Sequence, residues 1–92
     1  MTYPHILKNL LKNRQTKKIL KSIYEETRLS KVGVTLSKLS RMTRIERHRL
    51  VGMVEVLVAL GIVVTTQIGM AKVVAINPRI MEIVRKLLRV SR

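Results

Sequence analysis

The chain has no cysteine, tryptophan, phenylalanine or aspartate. Without cysteine there is no disulfide framework, no thiolate metal site and no cysteine nucleophile, which fits a reducing cytosol. His5 and His48 are the only histidines, so no metal and no cofactor is expected. Without aspartate there is no Ser-His-Asp set. The five glutamates are scattered among arginines rather than paired, and no phosphate-binding glycine loop is present, so the chain does not read as an enzyme. Two tyrosines are the whole aromatic content, which removes the stacking platform that single-stranded nucleic acid prefers. It also removes the apolar anchors that a basic helix uses on a membrane surface. The apolar run at residues 50–64 carries Glu55, Gly52 and Gly61 and is too short to span a bilayer, and the N-terminal MTYPHILKNLLKNR is too polar for a signal peptide. A cytoplasmic protein without a membrane partner is expected.

Positive charge is what the chain has in excess. Nineteen Lys and Arg against five Glu leave +14 on 92 residues, and nucleic acid is the default partner for such a balance. The length supports one domain, residues 1–92, near the small end of what folds alone, so packing between two copies would usefully enlarge its core. Favouring Glu, Lys, Arg, Ile and Val while avoiding Cys and Asp is a bias of heat-adapted proteins, and hints at a thermophilic, archaeal or viral source.

Along the chain, Pro4 can open a helix in which Ile6, Leu7, Leu10 and Leu11 recur at helical spacing, and the spacing resumes at Ile19, Leu20, Ile23 and Tyr24. No Gly or Pro in residues 13–16 forces a break, so one helix with room for a kink is expected. Gly33 among β-branched neighbours indicates a loop and a very short strand at residues 32–35, followed by a short helix over 36–42 with Leu36 and Leu39 inward. A third helix begins near Arg44 and stops at Gly61, where positive φ is available. Its start is ambiguous: Thr43 with Glu46 matches a capping box, but the loop could equally run through Ile45 and leave Glu46 at the first turn. Residues 62–67 and 71–76 are β-branched runs around Ile68, Gly69 and Met70, the pattern of a hairpin. Asn77 and Pro78 then supply an N-cap and a first helical position, and the last helix carries a stripe at Ile80, Ile83, Val84, Leu87 and Leu88.

The fold class that follows is mainly α with a small β-hairpin. Leu39 and Ser40, Ile45, then Leu50, Val54 and Leu57, and the tetrapeptide LGIV at Leu60 to Val63 resemble the winged helix-turn-helix DNA-binding domains. The likeness is to the small bacterial and archaeal kind, including those of archaeal viruses and plasmids, that takes in the ArsR, MarR and PadR regulators. It covers roughly residues 19–76, with extra N- and C-terminal helices outside it. Arg44 departs from the pattern, standing where many members have Gly in the turn. Apolar spacing alone says only that a helix is buried; its conjunction with a basic start, a glycine stop and a hairpin carries the resemblance.

The resemblance implies that Arg44, Arg47, His48 and Arg49 lie nearest the bases of a major groove, where the arginine fork can donate to guanine O6 and N7. Arg47 and Arg49 are two residues apart and cannot point the same way, so one is expected to read a base edge and the other to hold a phosphate. Ser37, Lys38, Ser40, Arg41, Lys31 and Lys72 are expected at phosphates, with Arg28 as a further candidate. The wing has little charge, and Thr65, Thr66 and Gln67 are its polar side chains. The terminal stripes at Ile6, Leu7, Leu10, Leu11, Ile80, Ile83, Val84 and Leu87, within residues 1–18 and 78–92, are expected to form a homodimer, unless they simply complete the monomer core. The function expected is sequence-specific binding of double-stranded DNA as a dimeric transcriptional repressor. The alternative is a nucleoid-associated partition or architectural protein that spreads along DNA by self-association.

Overall fold

One side chain cuts the N-terminal apolar stripe in two. In the computed structural model, which describes residues 3–90, the Asn13 side chain accepts from the Thr16 backbone N–H at 3.1 Å. That is an N-cap, and it starts a new helix. Helix α1 (Tyr3–Leu10) therefore ends before it, and α2 (Arg14–Ser30) begins after it. The single helix expected from the sequence is thus two. Propensity at residues 13–16 permitted continuation, and the cap satisfies one of the backbone donors that a break leaves without an intrahelical partner, which lowers the cost of breaking here.

Helix α2 is the central strut and buries Ile19, Leu20, Ile23 and Tyr24. It ends at Lys31, whose φ of 64° is left-handed and whose N–H returns to the Thr27 carbonyl at 2.8 Å. Two residues later Gly33 (φ 123°) passes so close to the sheet that a Cβ there would stand 2.3 Å from the Val74 carbonyl oxygen. This close approach lets β1 (Val34–Thr35) pair antiparallel with β3 (Ala71–Ile76), with Val34 opposite Val74. β3 also pairs antiparallel with β2 (Val63–Ile68), giving the order β1-β3-β2. The hairpin turn is shorter than expected. Ile68 still pairs with Ala71, so only Gly69 (φ 60°) and Met70 make the turn, the arrangement that places glycine first in a two-residue connection.

Between β1 and β2 lie α3 (Leu36–Thr43) and α4 (Arg47–Ala59). Helix α4 stops as its sequence indicates: Gly61 adopts φ 76°, its N–H reaches the Val58 carbonyl at 2.9 Å, and the Ile62 N–H reaches Leu57 at 3.0 Å. These paired bonds form a Schellman motif. After β3, Asn77 caps a 3-10 turn (Pro78–Ile80) that runs into α5 (Met81–Val90). Asn77 also ties the hairpin to the end of α4, because its Nδ2 donates to the Gly61 carbonyl at 2.8 Å and its backbone N–H to that of Ile62 at 2.9 Å. Thr27 joins α2 to the sheet similarly: its hydroxyl donates to Ile23 and accepts from the Ile76 N–H.

The core gathers Ile19, Leu20, Ile23, Leu39, Leu50, Leu57, Ile62 and Val74 from three helices and the sheet, and α1 and α5 pack on each other at its edge. Leu7, Leu11, Ile80 and Val84 are buried within that single chain. These four residues of the terminal stripes thus pack into the core of their own chain. Burial of each such side chain is worth about 1.5–3 kcal/mol against exposure, so uncovering all four would cost a small domain most of its stability. Their neighbours Ile6, Leu10, Ile83 and Leu87 are only half-buried.

Candidate nucleic-acid interface

The turn joining α3 to α4 is built by the side chains of Thr43 and Ser40 and the backbone of Arg44. Thr43 is fully buried and its hydroxyl donates to the Leu39 carbonyl at 2.8 Å, so it closes α3 and does not open α4. The capping box at Thr43 and Glu46 is accordingly not formed. Arg44 takes the left-handed conformation (φ 59°, ψ 31°) and its N–H returns to Ser40 at 2.8 Å, the geometry for which glycine is the usual residue. Ser40 is turned inward, donating to the Ile45 carbonyl at 2.7 Å. It locks the turn and does not present a free hydroxyl to a phosphate.

Glu46 is the N-cap of α4, accepting from the Arg49 N–H at 3.1 Å. The backbone N–H groups of His48 and then Arg49 hold its carboxyl below the ordinary carboxylate range. The one acid in this basic stretch is thereby directed onto the helix end, and donation from a cytosine is not what its geometry favours. Leu50 is buried and fixes the rotation of the helix. Arg44, Arg47, His48 and Arg49 are left exposed around its first turn.

The two arginines separate as their spacing requires. Arg47 leans toward α3, with Nη1 donating to the Ser37 hydroxyl at 3.3 Å. It lines an open cleft with Thr35, Ser37, Ile68, Met70 and Lys72, between the start of α3 and the hairpin tip. This meeting of the tip with Arg47 escaped sequence reading, because it depends on β2 running back beside α4. Gly52 lies four residues after His48 on the exposed side of α4, with nothing within 4 Å of where a Cβ would be.

The remaining basic candidates are dispersed. Lys38 pairs with Glu26 at 2.7 Å across to α2. Arg41 and Lys31 are exposed, and Lys72 stands between the cleft and a second depression that it shares with Glu55. Arg28 is paired with Glu25 and lines a groove between α2 and α5 with Lys21, Arg85 and Arg89. Among the described residues three ion pairs and one cap engage four of the five acids, so most of the positive charge faces solvent without a neutralising side chain. Among the same residues no helix is long and apolar enough to cross a membrane, and no group of three or more potential metal ligands forms.

Comparison with known proteins places this geometry. No family model and no curated protein matches the chain. The X-ray crystal structure of a MarR-family transcriptional regulator from Rhodococcus sp. RHA1 superposes with a TM-score of 0.69 at 17% identity, covering 96% of this chain and 61% of that one. At that identity the likeness is one of fold. The chain has the winged helix-turn-helix architecture, with α3 and α4 as the helix pair and the β2–β3 hairpin as the wing, and it spans 61% of that neighbour's length.

Proposed function

We propose that the chain binds double-stranded DNA sequence-specifically as a homodimer and acts as a transcriptional regulator that represses by occlusion. The observation that carries this reading is the row Arg44, Arg47, His48 and Arg49, exposed at the start of α4 in a winged fold while Glu46 is folded back onto the helix end. In this reading the first turns of α4 enter the major groove. Arg47, drawn toward Ser37 and the cleft, holds a phosphate; Arg49, with no such tether, reads a guanine edge with its two-pronged fork. Ser37, Lys38, Arg41, Lys31 and Lys72 contribute further phosphate contacts, which fix register without reading sequence. The half-buried Ile6, Leu10, Ile83 and Leu87 supply the dimer contact between terminal helices, and two-fold symmetry favours a palindromic site with half-sites about 34–36 Å apart. No cofactor is required, and the working compartment is the cytoplasm.

The test is footprinting on the surrounding genomic DNA over a protein concentration series, joined to affinity measurements on two variants. Arg49→Ala should cost about 1–3 kcal/mol on the specific site and relax discrimination there. Arg47→Ala should weaken all sequences alike and reduce the salt slope by about one unit. If both variants bind as the parent does, this surface is not the DNA-binding one. A second reading, spreading along DNA from a nucleation site, is favoured by the apolar side chains left exposed at Val56, Val58, Leu60 and Val64. A footprint that lengthens with concentration would select it over a bounded one.

A further inference from the structure

The tip of the wing is apolar and uncovered. Met70 is 101% exposed and Ile68 51% exposed, and the turn between them is held by the Gln67 side-chain amide donating to the Gly69 carbonyl at 3.1 Å. No charged side chain occurs between Val63 and Lys72. A wing that only touched the sugar-phosphate backbone would have its cations at the tip. Here the cations stand behind it, with Arg47 and Lys72 in the cleft that also holds the Ser37 and Thr35 side chains.

The geometry of that cleft indicates the tip's partner. Helix α4 has 13 residues and rises about 20 Å at 1.5 Å per residue. Strand β2 has six residues, also about 20 Å long at some 3.3 Å each, and runs back from the end of α4. The hairpin tip and the start of α4 thus reach one level of the molecule, as Arg47 and Met70 lining one cleft confirms. Two protrusions with a hydroxyl- and cation-lined cleft between them match a feature of duplex DNA, in which one phosphate strand separates each major groove from its neighbouring minor groove. With α4 in the major groove and the strand in the cleft, the tip falls in the minor groove.

We propose that Met70, backed by Ile68, is an apolar wedge that enters the minor groove, partly unstacks one base step and kinks the duplex, and that it thereby selects deformable pyrimidine–purine steps. Side chains of this type open base steps in other minor-groove proteins, and TA and CA/TG steps are the least costly to open. Met suits the task because its unbranched thioether conforms to an irregular gap. This inference rests on the DNA-binding reading and assigns the wing a part in specificity that phosphate contacts could not give it.

The experiment uses the full chain and duplexes of about 30 base pairs enriched from a random pool by the parent protein, labelled at both ends for energy transfer. A second set carries 2-aminopurine beside the step nearest the wing. Binding should bend the duplex by roughly 20–90° and brighten the 2-aminopurine. Met70→Ala should lose most of both signals and bind about tenfold more weakly, the loss expected from roughly two buried methylenes. Met70→Leu, which keeps an apolar wedge, should retain them, and neither change should alter folding because Met70 is not part of the buried core. If the parent binds, Arg47→Ala weakens it, and Met70→Ala binds and bends as the parent does, the wedge is wrong and the DNA-binding reading stands. If the parent binds no duplex at low salt, both are wrong.

Discussion

Arg44 offers a direct way to measure what the turn costs. An L-residue held in the left-handed region is disfavoured by about 1–2 kcal/mol, and Arg44 sits there at φ 59°, ψ 31°. Replacing it with Gly removes that strain and adds an unfolded-state entropy of about 0.5–1 kcal/mol. The mid-range balance is a net stabilisation of about 0.75 kcal/mol, between limits of about 0 and 1.5. For a domain of this size the mid-range value raises Tm by roughly 3–6 °C. Nothing else in the turn should change, because the N–H to Ser40 bond belongs to the backbone and the Arg44 side chain makes no ion pair among the described residues. Arg44→Ala is the necessary control, since it deletes the same side chain and keeps the strain. Urea unfolding at fixed pH and salt should show the Gly variant with the higher midpoint at an unchanged slope, and the Ala variant close to the parent. If Gly is no more stable than Ala, the turn is not strained and the reasoning fails. On the proposed DNA surface, affinity should fall in both variants by a similar factor, because both lose the charge. A side chain that costs stability where glycine would not is then explained by what it does outside the fold.

Two other perturbations address different parts of the molecule. Gly33→Ala places a Cβ against the Val74 carbonyl oxygen at a left-handed φ, and should destabilise by at least about 2 kcal/mol with loss of the β1–β3 pairing; amide exchange at Val34 and Val74 would report it, and a variant of parental stability would disprove the close approach. Glu46 has a depressed carboxyl pKa in the folded chain, so its contribution is fully present above the ordinary carboxylate value and is lost as pH falls through the lower folded one. Glu46→Gln should flatten that part of the stability profile below about pH 4.5, whereas identical acid profiles for the two proteins would remove the cap from the explanation.

Signals that act within a few residues were legible before the fold was seen. Gly61 ended α4, Asn77 and Pro78 opened the last helical segment, and the β-branched runs around Gly69 made a hairpin, because each depends on local backbone geometry. The break at Asn13 was not legible, since a polar side chain that caps and one that simply points outward look alike in a sequence. Thr43 and Glu46 had the spacing of a capping box, yet the left-handed turn at Arg44 put them on different helices. The terminal stripes showed that Leu7, Leu11, Ile80 and Val84 must be covered, but periodicity does not say by what, and their own chain does it. Within the candidate site, the basic start of α4 was read from composition and order. The inward turn of Ser40 and the cleft between Arg47 and Met70 required knowing how α3, α4 and the hairpin lie against one another.

The double hold of Asn77 on Gly61 and Ile62 sets the angle at which the wing leaves α4. In the proposed complex, with that joint clamped, the two prongs would act as a caliper of fixed gap. A changed base under either prong is a local penalty, to be added to others. One base pair inserted between them displaces a whole contact by about 3.4 Å along the duplex and turns it around the axis, and no side-chain adjustment recovers it. The target of such a protein should therefore tolerate several substitutions and no change of length.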